Sequence, residues 1–125
     1  MTDKHRVLYI EDEEDTLQLV TILLENNGYE VVGAPNGEIG LQVMKEQKPD
    51  VLLLDLMLPG MSGKAVYRKM KADEDLQNIP IILLTAWGAS SGIGLSKDLV
   101  EEYLLKPFSS RDLLEAIHRV IENNA

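Results

Sequence analysis

Four polar motifs each follow a short apolar run: Glu11-Asp12-Glu13-Glu14-Asp15 after Val7 to Ile10, Asp55 after Val51 to Leu54, Thr85 after Ile81 to Leu84, and Lys106-Pro107 after Tyr103 to Leu105. In an open parallel α/β sheet, ligands bind just outside the carboxyl ends of the strands, so these ends are expected to converge. Five successive carboxylates in one loop repel each other, and pointing Glu11 and Asp12 at a third acid, Asp55, calls for a counter-ion. A hard divalent cation meets that need. Mg²⁺ takes oxygen ligands in an octahedron, keeps several waters, and uses one or two carboxylates plus phosphate oxygens. Lys106 then supplies a fixed positive side chain and Thr85 a hydroxyl donor. Such a set is suited to receiving a phosphoryl group on an accessible carboxylate, a transfer dominated by positioning and charge neutralisation.

Bringing these groups together requires strands and helices in alternation, and the apolar pattern supplies them. Short aliphatic and β-branched runs alternate with longer stretches of helical period, as expected for five βα units around a parallel sheet. The strand candidates are Val7 to Ile10, Glu30 to Ala34, Val51 to Leu54, Ile81 to Leu84, and Tyr103 to Leu105. All but the second are almost wholly apolar, which predicts them in the buried part of the sheet, with Glu30 to Ala34 as the edge. Leu17, Val20, Leu23 and Leu24 recur at helical spacing before the stop signal Asn27-Gly28. Asn36 and Ser62 are candidate N-caps of a second helix carrying Leu41 and Met44, ended by Pro49, and a third carrying Val66 and Met70. Ser109 with Asp112 resembles a capping box before the stripe Leu113, Leu114, Ile117, Val120 and Ile121 of a fifth helix. The fourth helix is expected short, late or partly unwound. Gly88, Gly92 and Gly94 lie among its serines, and each glycine costs about 1 kcal/mol relative to alanine in a helix interior.

At 125 residues, with 45% hydrophobic and 26% charged side chains, the chain is expected to form one domain over residues 1–125. A core burying roughly two-thirds of the unfolded surface needs no staples. The absence of cysteine excludes a disulfide scaffold, a thiolate metal site and a cysteine nucleophile. Twenty-one acidic against twelve basic residues give a net charge of −9, which argues against direct nucleic-acid binding. The polar N-terminus and the short apolar runs predict neither a signal peptide nor a membrane span, hence a soluble cytoplasmic protein.

Over essentially its whole length the chain resembles the receiver domain of two-component response regulators. The resemblance is carried by Glu11-Asp12 after the first strand, Asp55 in Leu53-Leu54-Asp55-Leu56-Met57-Leu58-Pro59-Gly60-Met61-Ser62-Gly63, Thr85-Ala86, and Lys106-Pro107-Phe108. It implies a flavodoxin-like (βα)5 doubly wound parallel sheet of order 2-1-3-4-5. It also implies Asp55 as phosphoacceptor, Mg²⁺ held by Glu11, Asp12, Asp55 and the main-chain carbonyl of Met57, and phosphoryl oxygens bound at Thr85, Ala86 and Lys106. A cis peptide is implied before Pro107. Phosphorylation would draw Thr85 inward and let Tyr103 turn from an exposed to a buried rotamer, remodelling the face made by helix four, strand five and helix five. The implied partners are a histidine kinase or histidine phosphotransfer protein, an output domain or protein reading that face, and a second copy on phosphorylation. Met57 and Trp87, two residues beyond Asp55 and Thr85, would shield the acyl phosphate and lengthen its lifetime. Such a protein is a switch that assists its own phosphotransfer and dephosphorylation, not an enzyme. It is either stand-alone or a piece of a longer regulator. The glycine-rich segment after Ala86 and the ending Leu99-Val100-Glu101-Glu102 depart from the family pattern, so an unusual output face is expected.

Other assignments of the same residues are weaker. The acidic run could be a solvated helix start, and a degenerate, phosphorylation-independent binding module would need no intact site. An aspartyl-nucleophile phosphatase would carry Asp-x-Asp after its first strand, whereas Asp55 follows the third and Met57 occupies the second acid's place. Gly88-Ala89-Ser90-Ser91-Gly92 matches a nucleophile elbow, with Asp112 and His118 downstream, but the strand before it ends at Thr85. His118 is expected beside the apolar stripe of the last helix, His5 in a mobile tail, and the methionines in the core.

Overall fold

The apolar runs lie side by side in a computed structural model that describes residues 4–56, 58, 60–86 and 100–124. Their elements are β1 (Arg6–Ile10), α1 (Glu14–Asn26), β2 (Glu30–Ala34), α2 (Gly37–Gln47), β3 (Val51–Asp55), α3 (Gly63–Lys71), β4 (Ile81–Ala86), β5 (Glu102–Lys106) and α4 (Ser110–Asn123). All four strand pairings are parallel and the order is β2-β1-β3-β4-β5, the flavodoxin-like arrangement that the resemblance implied. The glycine-rich stretch expected to form the fourth helix, and the elbow-like motif within it, lie outside the described residues. The fifth predicted helix is therefore α4.

Alternation along the strands divides the apolar side chains between the faces of the sheet. Leu8, Ile10, Leu52, Leu54, Ile81 and Leu83 pack with Met44 of α2 and with Val66 and Met70 of α3. Val7, Tyr9, Val51, Leu53, Ile82 and Leu84 pack with Leu24 of α1 and with Leu113, Ile117 and Val120 of α4. Met44 and Met70 are core residues, as expected.

The caps act where the sequence placed them. The Ile39, Ala65 and Asp112 N–H groups donate to Asn36 Oδ1, Ser62 Oγ and Ser109 Oγ at 2.9, 3.2 and 3.0 Å. Each satisfies a donor that the first helical turn leaves free. The N-cap of α1, Glu13, makes no side-chain cap bond, but Glu14 and Asp15 complement the positive end of the helix. Gly28, just beyond α1, adopts φ +91, which glycine tolerates without steric cost.

Two expectations are corrected. Tyr103 to Leu105 is not in the buried part of the sheet that composition predicted for it: β5 is an edge, as the order 2-1-3-4-5 implied, pairing among the described strands with β4 alone, and its residues are half-buried or exposed. Apolar composition reported contact with a helix layer, not two strand neighbours. His5 is tied down through its carbonyl, which accepts the Glu30 N–H at 2.9 Å.

Gly63 closes the link between α3 and the end of β3. A Cβ there would stand 2.6 Å from the Asp55 carbonyl oxygen and 2.7 Å from Leu56 Cα, both backbone atoms unable to swing aside. Gly63→Ala should therefore lower the urea unfolding midpoint, by about 1–3 kcal/mol of stability. An unchanged midpoint would show that this approach relaxes freely.

Candidate functional site

Strand parity builds the site. Tyr9 and Glu11, Leu53 and Asp55, and Leu104 and Lys106 are each two residues apart, so each polar residue continues the face whose preceding member is packed against α1 and α4. Register finishes the alignment, placing Asp55 beside Leu84, Thr85 beside Leu105, and Ala86 beside Lys106. Asp55, Ala86 and Lys106 are the last residues of their strands, with Thr85 one earlier, where the sequence reading had strands stopping just before the polar residues.

Glu11 and Asp55 are the buried charged residues among those described, at 3% and 6% exposure. Lys106 joins them, its ammonium donating to Asp55 Oδ2 and lying 4.0 Å from Glu11 Oε1. Burial alone would lower the Lys106 pKa. The hydrogen bond to Asp55 and the charges of Asp55, Glu11 and Glu13 outweigh it and hold the ammonium above its ordinary value. Glu11 is fixed from two further directions: the Tyr9 hydroxyl donates to Oε1 at 2.8 Å and the Glu13 N–H donates to Oε2 at 3.2 Å. Burial, then the bond to Glu11, push the Tyr9 phenol far above its usual pKa, so it stays a donor. A shallow cavity of about 410 Å³ opens on this cluster, walled by Tyr9 and Phe108 and lined by Glu11, Glu13, Thr16 and Lys106.

The structure thus brings together Glu11, Asp55 and Lys106. Asp12 is exposed on the loop after β1, and among the described residues no group of three or more acids or histidines is gathered into a ready cation site. Thr85 and Ala86 end β4, while their side chains, Met57 and Trp87 lie outside the described residues. Tyr103 is half-buried and packs against the α2/α3 side of the sheet, away from Lys106. The Lys106-Pro107 bond is cis, as the resemblance implied. His118 is exposed beside the apolar stripe of α4, with Nε2 3.6 Å from Glu122.

Two site residues were not singled out from sequence. Tyr9 was counted only as a strand residue, although its place two positions before Glu11 puts both on one face. Gly63 was noted only as part of a motif, and a close backbone approach leaves no other trace.

Chemically, the cluster offers carboxylate oxygens of the type that a hard divalent cation prefers, and one fixed ammonium suited to an incoming anion. The buried carboxylate oxygens of Glu11 and Asp55, held beside one another by Lys106, are a donor set that fits Mg²⁺ even though Asp12 lies outside it.

The response regulator receiver domain family matches residues 7–118 of the chain. The chain is 38% identical over 119 residues to the phosphate regulon transcriptional regulatory protein PhoB of Pseudomonas aeruginosa, covering 92% of this chain and 51% of that protein. Identity to the DNA-binding response regulator MtrA of Mycobacterium tuberculosis is 32% over 124 residues, covering 98% of this chain and 53% of that protein. The chain therefore spans about half the length of these curated relatives. It is 31% identical to the PilH protein of P. aeruginosa, over 93% of this chain and 97% of that one. Among solved structures it superposes on a putative response regulator from Chloroflexus aurantiacus with a TM-score of 0.86 at 29% identity, over 96% and 99% of the two chains. No helix among the described residues is long and apolar enough to cross a membrane.

The raised Lys106 pKa fixes the sign of a pH dependence. The stabilisation it represents is fully present below the unfolded lysine value, about 10.4, and is lost as pH rises through the higher folded value. Lys106→Met should be less stable than the wild type at pH 7, and urea midpoints should converge as pH rises past that value. A difference constant with pH would show that the lysine contributes packing and not charge.

Proposed function

This chain belongs to the response regulator receiver domain family of two-component systems, and from that premise we propose that Asp55 accepts a phosphoryl group from a phosphohistidine. The carrying observation is the buried Asp55 and Glu11 carboxylates sharing the Lys106 ammonium, with Glu11 and Lys106 lining a cavity. In the transfer, an Asp55 oxygen forms a bond to phosphorus as the donor's P–N bond breaks, and the departing imidazole keeps the bonding pair. Asp55 is an oxygen nucleophile whose approach is set by β3 and by the glycine contact behind its carbonyl. Lys106, already cationic and anchored, neutralises charge on the arriving group without reorganising, the main source of catalysis in such transfers. Thr85 and the Ala86 main chain complete the phosphoryl contacts.

Glu11, Asp12, Asp55 and the Met57 carbonyl are the groups that would hold Mg²⁺, which supplies charge neutralisation for the phosphoryl oxygens. Glu11 arrives oriented by Tyr9 and Glu13, while Asp12 comes from the adjoining exposed loop.

Phosphorylation gives Lys106 a second anion, and the local change biases a two-state surface through Thr85 and Tyr103. The reading surface is β5, α4 and the segment before β5, and the partner there is an output domain or protein, including a second copy. The donor is a histidine kinase or a histidine phosphotransfer protein, and the setting is the cytoplasm. The protein is a switch rather than an enzyme turning over a substrate, and its net charge of −9 favours output through protein contacts over direct nucleic-acid binding.

Intact mass after incubation with Mg²⁺ and acetyl phosphate should rise by one phosphoryl group, and should not rise for Asp55→Asn or with chelator. Followed in time after donor removal, the Met57→Asn, Trp87→Glu variant should lose that mass faster than the wild type. No gain by a folded wild-type protein would instead indicate a phosphorylation-independent binding module.

A further inference from the structure

Tyr9 is 1% exposed, a member of the buried cluster that includes Val7, Leu53, Leu84 and Leu113, yet its hydroxyl donates to Glu11 Oε1 at 2.8 Å. A phenylalanine would fill the same space, so packing does not account for the oxygen. Three donors surround Glu11: the Tyr9 hydroxyl and the Glu13 N–H on its two oxygens, and the Lys106 ammonium at 4.0 Å from Oε1. Lys106 hydrogen-bonds Asp55 and only approaches Glu11.

We propose that the Tyr9 hydroxyl is a positioning group that fixes the Glu11 carboxylate and thereby leaves Lys106 engaged on Asp55. The inference rests on the phosphoryl-accepting reading above and names what sets the geometry of its acidic cluster. Occupation of Oε1 by a neutral donor satisfies a buried acceptor without drawing the ammonium across. Without the hydroxyl, Lys106 becomes the nearest donor to that oxygen and two carboxylates compete for it. Glu11 then loses the fixed rotamer that a cation ligand needs. Partners that orient a ligating side chain typically change metal affinity by about 10–100-fold when removed.

The test is a double-mutant cycle on the unphosphorylated full chain, reading the Mg²⁺ dissociation constant by titration calorimetry. Tyr9→Phe should weaken Mg²⁺ binding about tenfold. In a Glu11→Asp background, whose carboxylate is one methylene shorter and so withdrawn from the phenol, Tyr9→Phe should change it by less than about twofold. Where the wild type binds Mg²⁺, an equal loss in both backgrounds would assign the effect to the fold rather than to Glu11, and no loss in either would show that the hydroxyl positions nothing; both overturn the proposal. A metal-free readout separates this inference from the functional reading. The side-chain carboxyl ¹³C resonance of Glu11 should move in Tyr9→Phe while urea stability stays close to that of the wild type. An unmoved resonance overturns the proposal whatever Mg²⁺ does. A resonance that moves in a wild-type background that binds no Mg²⁺ upholds the positioning and overturns the functional reading.

Discussion

Two carboxylates and one ammonium at the end of a parallel sheet govern the rest of the arrangement. At about 4 Å and an effective dielectric of about 20, each attraction is worth about 4 kcal/mol gross. Desolvation costs several kcal/mol per buried ion, so the net contribution to stability is small. What the lysine supplies is placement. Glu11 and Asp55 are both buried, and Lys106 holds its ammonium against the two of them at the open end of the sheet.

The sheet exists in a form that serves this cluster. Parallel strands end together, and helices on both faces exclude water from everything except the ends. Parity then selects which end residues meet: Glu11, Asp55 and Lys106 each continue a row whose previous member, Tyr9, Leu53 or Leu104, is packed on the α1/α4 side. A one-residue slip of any strand would send its polar residue to the other face. The N-caps at Asn36, Ser62 and Ser109 start their helices at a defined residue and so fix where each preceding loop ends.

Much of this could be read from the residues. Short runs of three to five residues, all but one of them apolar, located all five strands, and Asn36, Ser62, Ser109 and Asn27-Gly28 located helix boundaries, because each signal is local chemistry. The ends were placed slightly short, since Asp55, Thr85 and Lys106 look like breaks in an apolar run yet still make ladder pairings. The edge position of β5 was misjudged from composition, which reports burial by helices and says little of neighbouring strands. Tyr9 and Gly63 escaped because their importance lies in a 2.8 Å hydrogen bond and in a backbone approach that leaves no room for a Cβ, relations that exist only after folding.

The central claim is that the chemistry occurs on the carboxylate that shares Lys106 with Glu11. It is tested most directly by reducing the phosphorylated protein with borohydride, which converts an acyl phosphate to an alcohol, and sequencing the peptides by mass spectrometry. The account predicts homoserine at position 55 and at no other acid. A reduced residue at Glu11, Asp12 or elsewhere, with Asp55 intact, would contradict it.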